Sequence, residues 1–210
     1  MKKPEDFDLE NPGWMNRFEL DRIRFEVARA STGAGHVAKI LELGCYAGRT
    51  TRVLLEASSP CGSLVVAVDP LARNRHMPTW PTPGAVHVDT LAHMRRLVAE
   101  NANRLIVFQG WAEEIAGLFR APIDALIIDT EHSYDPTIRQ VDVFAPLVRD
   151  GGVIILDDYD LEPVASGWRD SQFAKARPWL TVDTLESIAV VRVGSKPKPD
   201  ALPDLTEVRP

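Results

Sequence analysis

The chain has 210 residues, a length that suits one compact α/β domain with a full core. Its net charge of −6, from 24 basic and 30 acidic side chains, argues against bulk electrostatic attraction to nucleic acid or to an anionic membrane. No apolar run approaches the roughly 20 residues of a membrane span and no signal peptide is visible; Cys45 and Cys61 lack metal or redox spacing, so the expected setting is the cytoplasm.

Residues 1–13 are polar with two prolines and read as an extended arm. A helical pattern starts at Asn16, with Leu20, Ile23, Val27 and Ala30 on one stripe, and ends at Ser31, Thr32, Gly33 and Gly35. Trp14 and Phe18 fit core packing, with capping of a ligand pocket as the alternative. Residues 1–35 are therefore set apart from a ligand-binding domain over 36–194, which a proline-rich tail over 195–210 follows.

The apolar residues of 37–43 predict a buried strand. Gly44 and Gly48 then bracket a tight turn that feeds a helix over 49–57. Glycine suits a sharp turn that a ligand must approach, and the first N–H groups of the following helix favour an anionic group. A second strand, 64–68, ends in Asp69, which follows Gly44 by 25 positions. An acid at about that distance hydrogen-bonds ribose hydroxyls in nucleotide-binding α/β folds. Pro70 to Gly84 carries four prolines with Arg73, His76, Met77 and Trp80, and reads either as a lid or as a loose excursion.

A helix is expected over 89–102, a third strand over 105–108, an exit turn at Gln109, Gly110 and Trp111, and a short helix over 112–118. The fourth strand, 123–128, ends in Asp129. His132 follows, then a helix capped by Ser133 or Asp135 with Pro136 in its first turn. Gly151 and Gly152 close that helix, and a fifth strand, 153–156, ends in Asp157 and Asp158. One helix over 162–176 and a closing hairpin of 180–182 with 188–193 complete the pattern. Five βα units and a strand pair predict a Rossmann-like, doubly wound, seven-stranded α/β sheet, mostly parallel with a reversed final strand and helices on both faces. Glu42, Asp69, Gln109, Asp129 and Asp157 should gather at its carboxyl edge, where such sheets bind ligands.

Glu42, Gly44 and Gly48 form E/D-x-G-x-x-x-G, and Asp69 supplies a strand-ending acid. In this pair the sequence resembles the class I S-adenosylmethionine-dependent methyltransferases. The run Ile128 to Tyr134 is similar to I-D-G-D-H-S-Y of a bacterial small-molecule O-methyltransferase branch, with Thr130 for glycine and Glu131 for aspartate. Gly151 to Tyr159 belongs to the same branch, where the position of Asp157 is often histidine.

The resemblance implies S-adenosylmethionine as cofactor, held by Glu42, Gly44, Tyr46, Gly48, Thr50, Asp69, Gly110, Trp111, Asp129 and His132, with Trp111 against the adenine. It implies His132 and Asp129 as catalytic groups, and Mg²⁺ on Asp129, Asp157 and Asp158. Packed carboxylates repel, and a hard cation relieves them; helix capping by these acids is the alternative. The partner is a small-molecule acceptor, and a homo-oligomer is left open. A non-catalytic cofactor-binding partner or sensor is the rival reading, and the G-x-x-x-G spacing disfavours a nicotinamide oxidoreductase.

Overall fold

The computed structural model describes residues 12–71, 89–119 and 122–196. The expectation of a lid within 70–84 falls outside them beyond Leu71, as do residues 1–11 of the expected arm and the tail from 197. The strands are β1 (Lys39–Leu43), β2 (Leu64–Asp69), β3 (Leu105–Gln109), β4 (Ile123–Ile128), β5 (Val148–Leu156), β6 (Val182–Leu185) and β7 (Ile188–Arg192). They form one sheet in the order β3-β2-β1-β4-β5-β7-β6. The pairs from β3 to β5 are parallel, and β7 runs antiparallel to both β5 and β6. The strand order reverses between β1 and β4, which places the ligand crevice above that pair.

Side-chain alternation splits the core in two. Ile40, Val65, Ala67, Ile127 and Ile155 face a layer containing Ile23 and Val27 of α1 (Arg17–Thr32), Leu54 of α2 (Arg49–Ala57) and Met94 of α3 (Thr90–Glu100). Leu41, Leu43, Leu126 and Ile154 face the opposite layer. That layer includes Ile115 of α4 (Ala112–Ile115), Val141 and Phe144 of α5 (Tyr134–Phe144), Trp168 of α6 (Glu162–Asp170) and Phe173 of α7 (Gln172–Lys175). The β1, β4 and β5 segments at the centre are buried on both faces and are mostly apolar, with Glu42 and Asp124 as the buried charged exceptions.

Four local expectations change, the first being the hairpin, whose leading strand is Val182–Leu185 instead of 180–182. The single helix expected over 162–176 is two, because Ser171 turns extended (φ −59°, ψ 147°) and its hydroxyl accepts from Ala174 N to cap α7. The glycine pair 151–152 does not end a helix; it lies inside β5, with Gly151 in the left-handed region at φ 83°. Phe18 is neither core nor cap: it is 68 % exposed on the outer face of α1. Helix α1 itself starts where expected, with Asn16 and Glu19 forming a capping box.

Candidate functional site

Each predicted strand-end acid stands at the carboxyl edge because the backbone ladder runs one residue past the strand. Asp129 N donates to Leu43 O at 2.8 Å and Asp157 N to Ile128 O at 2.9 Å. The glycine turn leaves β1 at the same level, and Gly44 N donates to Val68 O at 2.8 Å. Gly44 has φ 84°, and a Cβ there would collide with the carbonyl of Asp129. Close approach of two chain segments therefore demands this glycine, in addition to any need of a ligand. Gly48, at φ 89°, packs on α3: a Cβ would stand 2.7 Å from Met94 Sδ.

Asp69 organises the turn. Its carboxylate accepts from Tyr46 N at 2.9 Å and from Leu71 N at 2.7 Å. Burial pushes its pKa up, those backbone donors pull it down, Asp129 pushes it up again, and the net shift is upward. With Leu71, Tyr46 and Cys45 backbone groups as donors, the carboxylate still has acceptor capacity that suits hydroxyl donors of a ribose. Tyr46 is held at φ 46° and its ring meets Trp14 at 5.3 Å between centroids. Two further contacts bring residues 13–15 over the turn. Arg49 Nη1 donates to Gly13 O at 3.0 Å, and the Thr50 hydroxyl donates to Met15 Sδ at 3.3 Å. Of the two sequence expectations for Trp14 in this strap, core packing or capping of a pocket, its contact with Tyr46 of the turn fits the second. Cys45 is buried in the same turn, and burial, then Glu42 and Asp69, push its thiol well up, which makes it an inert packing residue.

Glu42 is fully buried beneath the turn, and its Oε2 accepts from the Thr51 hydroxyl at 2.6 Å. Gly110 N donates to Asp69 O at 3.0 Å, so the β3 exit turn abuts the β2 end. Trp111 is 56 % exposed there, with its backbone N–H donating to Glu114 Oε2 at 2.8 Å as α4 begins.

The second half of the site lies above β4 and β5. His132 Nδ1 is 3.0 Å from Asp158 Oδ2, and its Nε2 is 4.0 Å from Asp129 Oδ1. Asp158 is buried and adopts φ 50°, a backbone state rare for aspartate, and that conformation accompanies its contact with the imidazole. The sequence grouped Asp158 with Asp129 and Asp157. In the structure the ligand atoms that converge within 4.8 Å are those of Asp129, His132 and Asp157. Two carboxylates and one imidazole fit a divalent cation. A pairing between residues 26 positions apart, such as His132 with Asp158, leaves no periodic mark in a sequence. Thr130, at the glycine position of the motif, is satisfied locally by donating to Gln140 Oε1 at 2.7 Å.

The cofactor fits this half-ring of groups by its chemistry. Asp69 offers acceptors for hydroxyls. The start of α2, where Gly48 brings no side-chain cap, presents N–H groups to a carboxylate. Asp69 and Asp129 set a negative potential suited to a sulfonium and an ammonium.

The strand order, the left-handed glycine turn and the β2-end acid together define a class I S-adenosylmethionine-dependent methyltransferase fold. The family of methyltransferase domains matches residues 41–159, and the chain belongs to it. The fold is shared with solved structures. The O-methyltransferase NovP aligns at 16 % identity over 92 % of this chain and 89 % of that chain, with a TM-score of 0.66. SAH-bound PaMTH1 of Podospora anserina aligns at 15 % identity over 86 % and 80 %, with a TM-score of 0.60. An O-methyltransferase from Bacillus cereus in complex with SAH aligns at 20 % identity over 87 % and 84 %, with a TM-score of 0.58. No helix among the described residues is long and apolar enough to cross a membrane.

Proposed function

We propose that this protein transfers the methyl group of S-adenosylmethionine to an oxygen of a small-molecule acceptor. The observation that carries the reading is the contact of His132 Nδ1 with Asp158, 3.0 Å long, at the rim shared with the glycine turn. The bound cofactor supplies a methyl group on a positively charged sulfur, open to in-line displacement. Glu42, Gly44, Tyr46, Gly48, Thr50, Asp69, Gly110 and Trp111 are its proposed cradle, with Asp129 and His132 at the reacting end. Asp158 holds the Nδ1–H tautomer of His132, which leaves Nε2 able to take a hydroxyl proton from the acceptor. Asp129 faces that nitrogen and stabilises the imidazolium as it forms. The strap over the turn restricts water at the cofactor side.

Asp129 and Asp157, with His132 or Asp158 as third group, are the proposed holders of a divalent ion such as Mg²⁺, which would lower the pKa of an oxygen bound to it. The test measures methyl transfer from labelled cofactor to a panel of phenolic and sugar hydroxyls, with added Mg²⁺ and with EDTA. His132→Ala should lower turnover by about 10² to 10⁴ while cofactor affinity holds. Full activity in EDTA would remove the ion from the mechanism. Cofactor binding without transfer to any acceptor would favour a sensor or partner subunit.

A further inference from the structure

Glu42 has a chemistry that the methyl-transfer reading leaves unused. Its carboxyl is 0 % exposed, on the sheet face covered by α1, α2 and α3. One oxygen accepts from Thr51, and the other, Oε1, is buried with no hydrogen-bond partner among the described residues. Acids stand at the ends of the strands on either side: Asp69 closes β2, and Asp129 directly follows β4. The glycine turn contributes the buried Cys45 thiol, and α2 contributes only the neutral Thr51. A carboxylate here would be a third negative charge with no cation opposite it among the described residues. Burial first, and then Asp129 and Asp69, push Glu42 up to about 8, against the pull of the Thr51 hydrogen bond.

We propose that Glu42 carries a proton in the cofactor-free protein and releases it to solvent when the sulfonium cofactor binds, acting as a positioning residue that favours the cationic cofactor over its neutral-sulfur product. The inference rests on the rim being the S-adenosylmethionine site. The charges balance: a neutral carboxyl and a cation become a carboxylate, the same cation and one solvent proton. After transfer the sulfur is a neutral thioether, the opposing charge is gone, and Glu42 recovers a proton. The buried oxygen without a partner thus has a counter-charge only while the substrate form is bound, and product release is favoured.

Isothermal calorimetry of S-adenosylmethionine binding at pH 7, in buffers of different ionisation enthalpy, counts the protons released. Wild type should release roughly 0.9 proton more than Glu42→Gln, the fraction expected for a group titrating near 8. The difference cancels protons from the cofactor's own amino group. Affinity for the sulfonium should rise by roughly tenfold from pH 6 to 7 and by roughly fivefold from 7 to 8 in wild type relative to Glu42→Gln, and affinity for the thioether product should not. Equal proton release in the two proteins overturns the proposal while leaving the cofactor site intact. No binding of the cofactor to wild type overturns the site itself, and this inference with it. Should Glu42→Gln fail to fold, infrared difference spectra of wild type decide: loss of a protonated-carboxyl stretch on cofactor binding supports the proposal, and an unchanged spectrum in that region overturns it.

Discussion

Gly44 combines a left-handed backbone with a neighbouring carbonyl that occupies the space of a Cβ. Alanine there must move β4 or the turn, so Gly44→Ala should lose more than about 3 kcal/mol of stability, read by urea unfolding. Asp69 has a double task, because it ties Tyr46 N and Leu71 N and offers the remaining lone pairs to the cofactor. Asp69→Ala should weaken cofactor affinity by tenfold or more, about 1.4 kcal/mol; unchanged affinity by calorimetry would take Asp69 out of the site. Glu42 makes a stability prediction as well. Its folded pKa of about 8 lies above the usual value of 4.5. Its contribution is therefore present below pH 4.5 and is lost as pH rises through 8. The melting temperature of the cofactor-free protein should fall more between pH 5 and 9 in wild type than in Glu42→Gln. At this scale the sequence exposed what spacing carries: Glu42, the two glycines, Asp69 and Asp129. It hid what depends on chain-distant contact, namely the Trp14–Tyr46 pair and the partner of His132.

Helix α1 is fastened to the far end of the sheet through Glu26, which is fully buried and meets Arg22 at 3.1 Å, Arg29 at 3.1 Å and Arg192 of β7. Burial pushes the Glu26 carboxyl up, but Arg192, Arg29 and Arg22 together outweigh it, and the net shift is downward. A lowered folded pKa gives stability that is present above the unfolded value and is lost as pH falls. Glu26→Ala should cost about 1.5–3 kcal/mol at neutral pH, since it removes the carboxylate shared by the partly exposed Arg22, Arg29 and Arg192. In Glu26→Gln the loss of melting temperature between pH 5 and pH 3 should shrink. Helix periodicity revealed α1 and its cap, because an amphipathic stripe and a capping box are local. The break between α6 and α7 was missed because Ser171 is compatible with a helix interior by propensity, and only its bond to Ala174 N shows it to be a cap.

Over the whole molecule, the switch in strand order between β1 and β4 lets two distant segments, the glycine turn and the Asp129–His132 corner, share one rim. Alternating βα units forecast a parallel sheet, and the closing strand pair forecast the reversed strand. Composition alone cannot order strands, because β1, β4 and the rim-side half of β5 are all buried on both faces. A ligand that bridges β1, β2 and β4 should stiffen all three. S-adenosylmethionine at 100 times its dissociation constant should stabilise the fold by about 2.7 kcal/mol, read as a rise in melting temperature.

The reversed β7 has a practical consequence. It starts beside Leu156 at the rim and ends beside Val153, so the backbone at Lys196 leaves from the sheet's opposite edge, whereas Trp14 sits against the rim. Lys196 is exposed, Cys45 is buried and Cys61 is half-buried. A maleimide tether at Lys196→Cys would hold every molecule on a sensor chip in one orientation, its mouth toward the flowing solution. Tethering through a residue near Trp14 would turn the mouth against the chip.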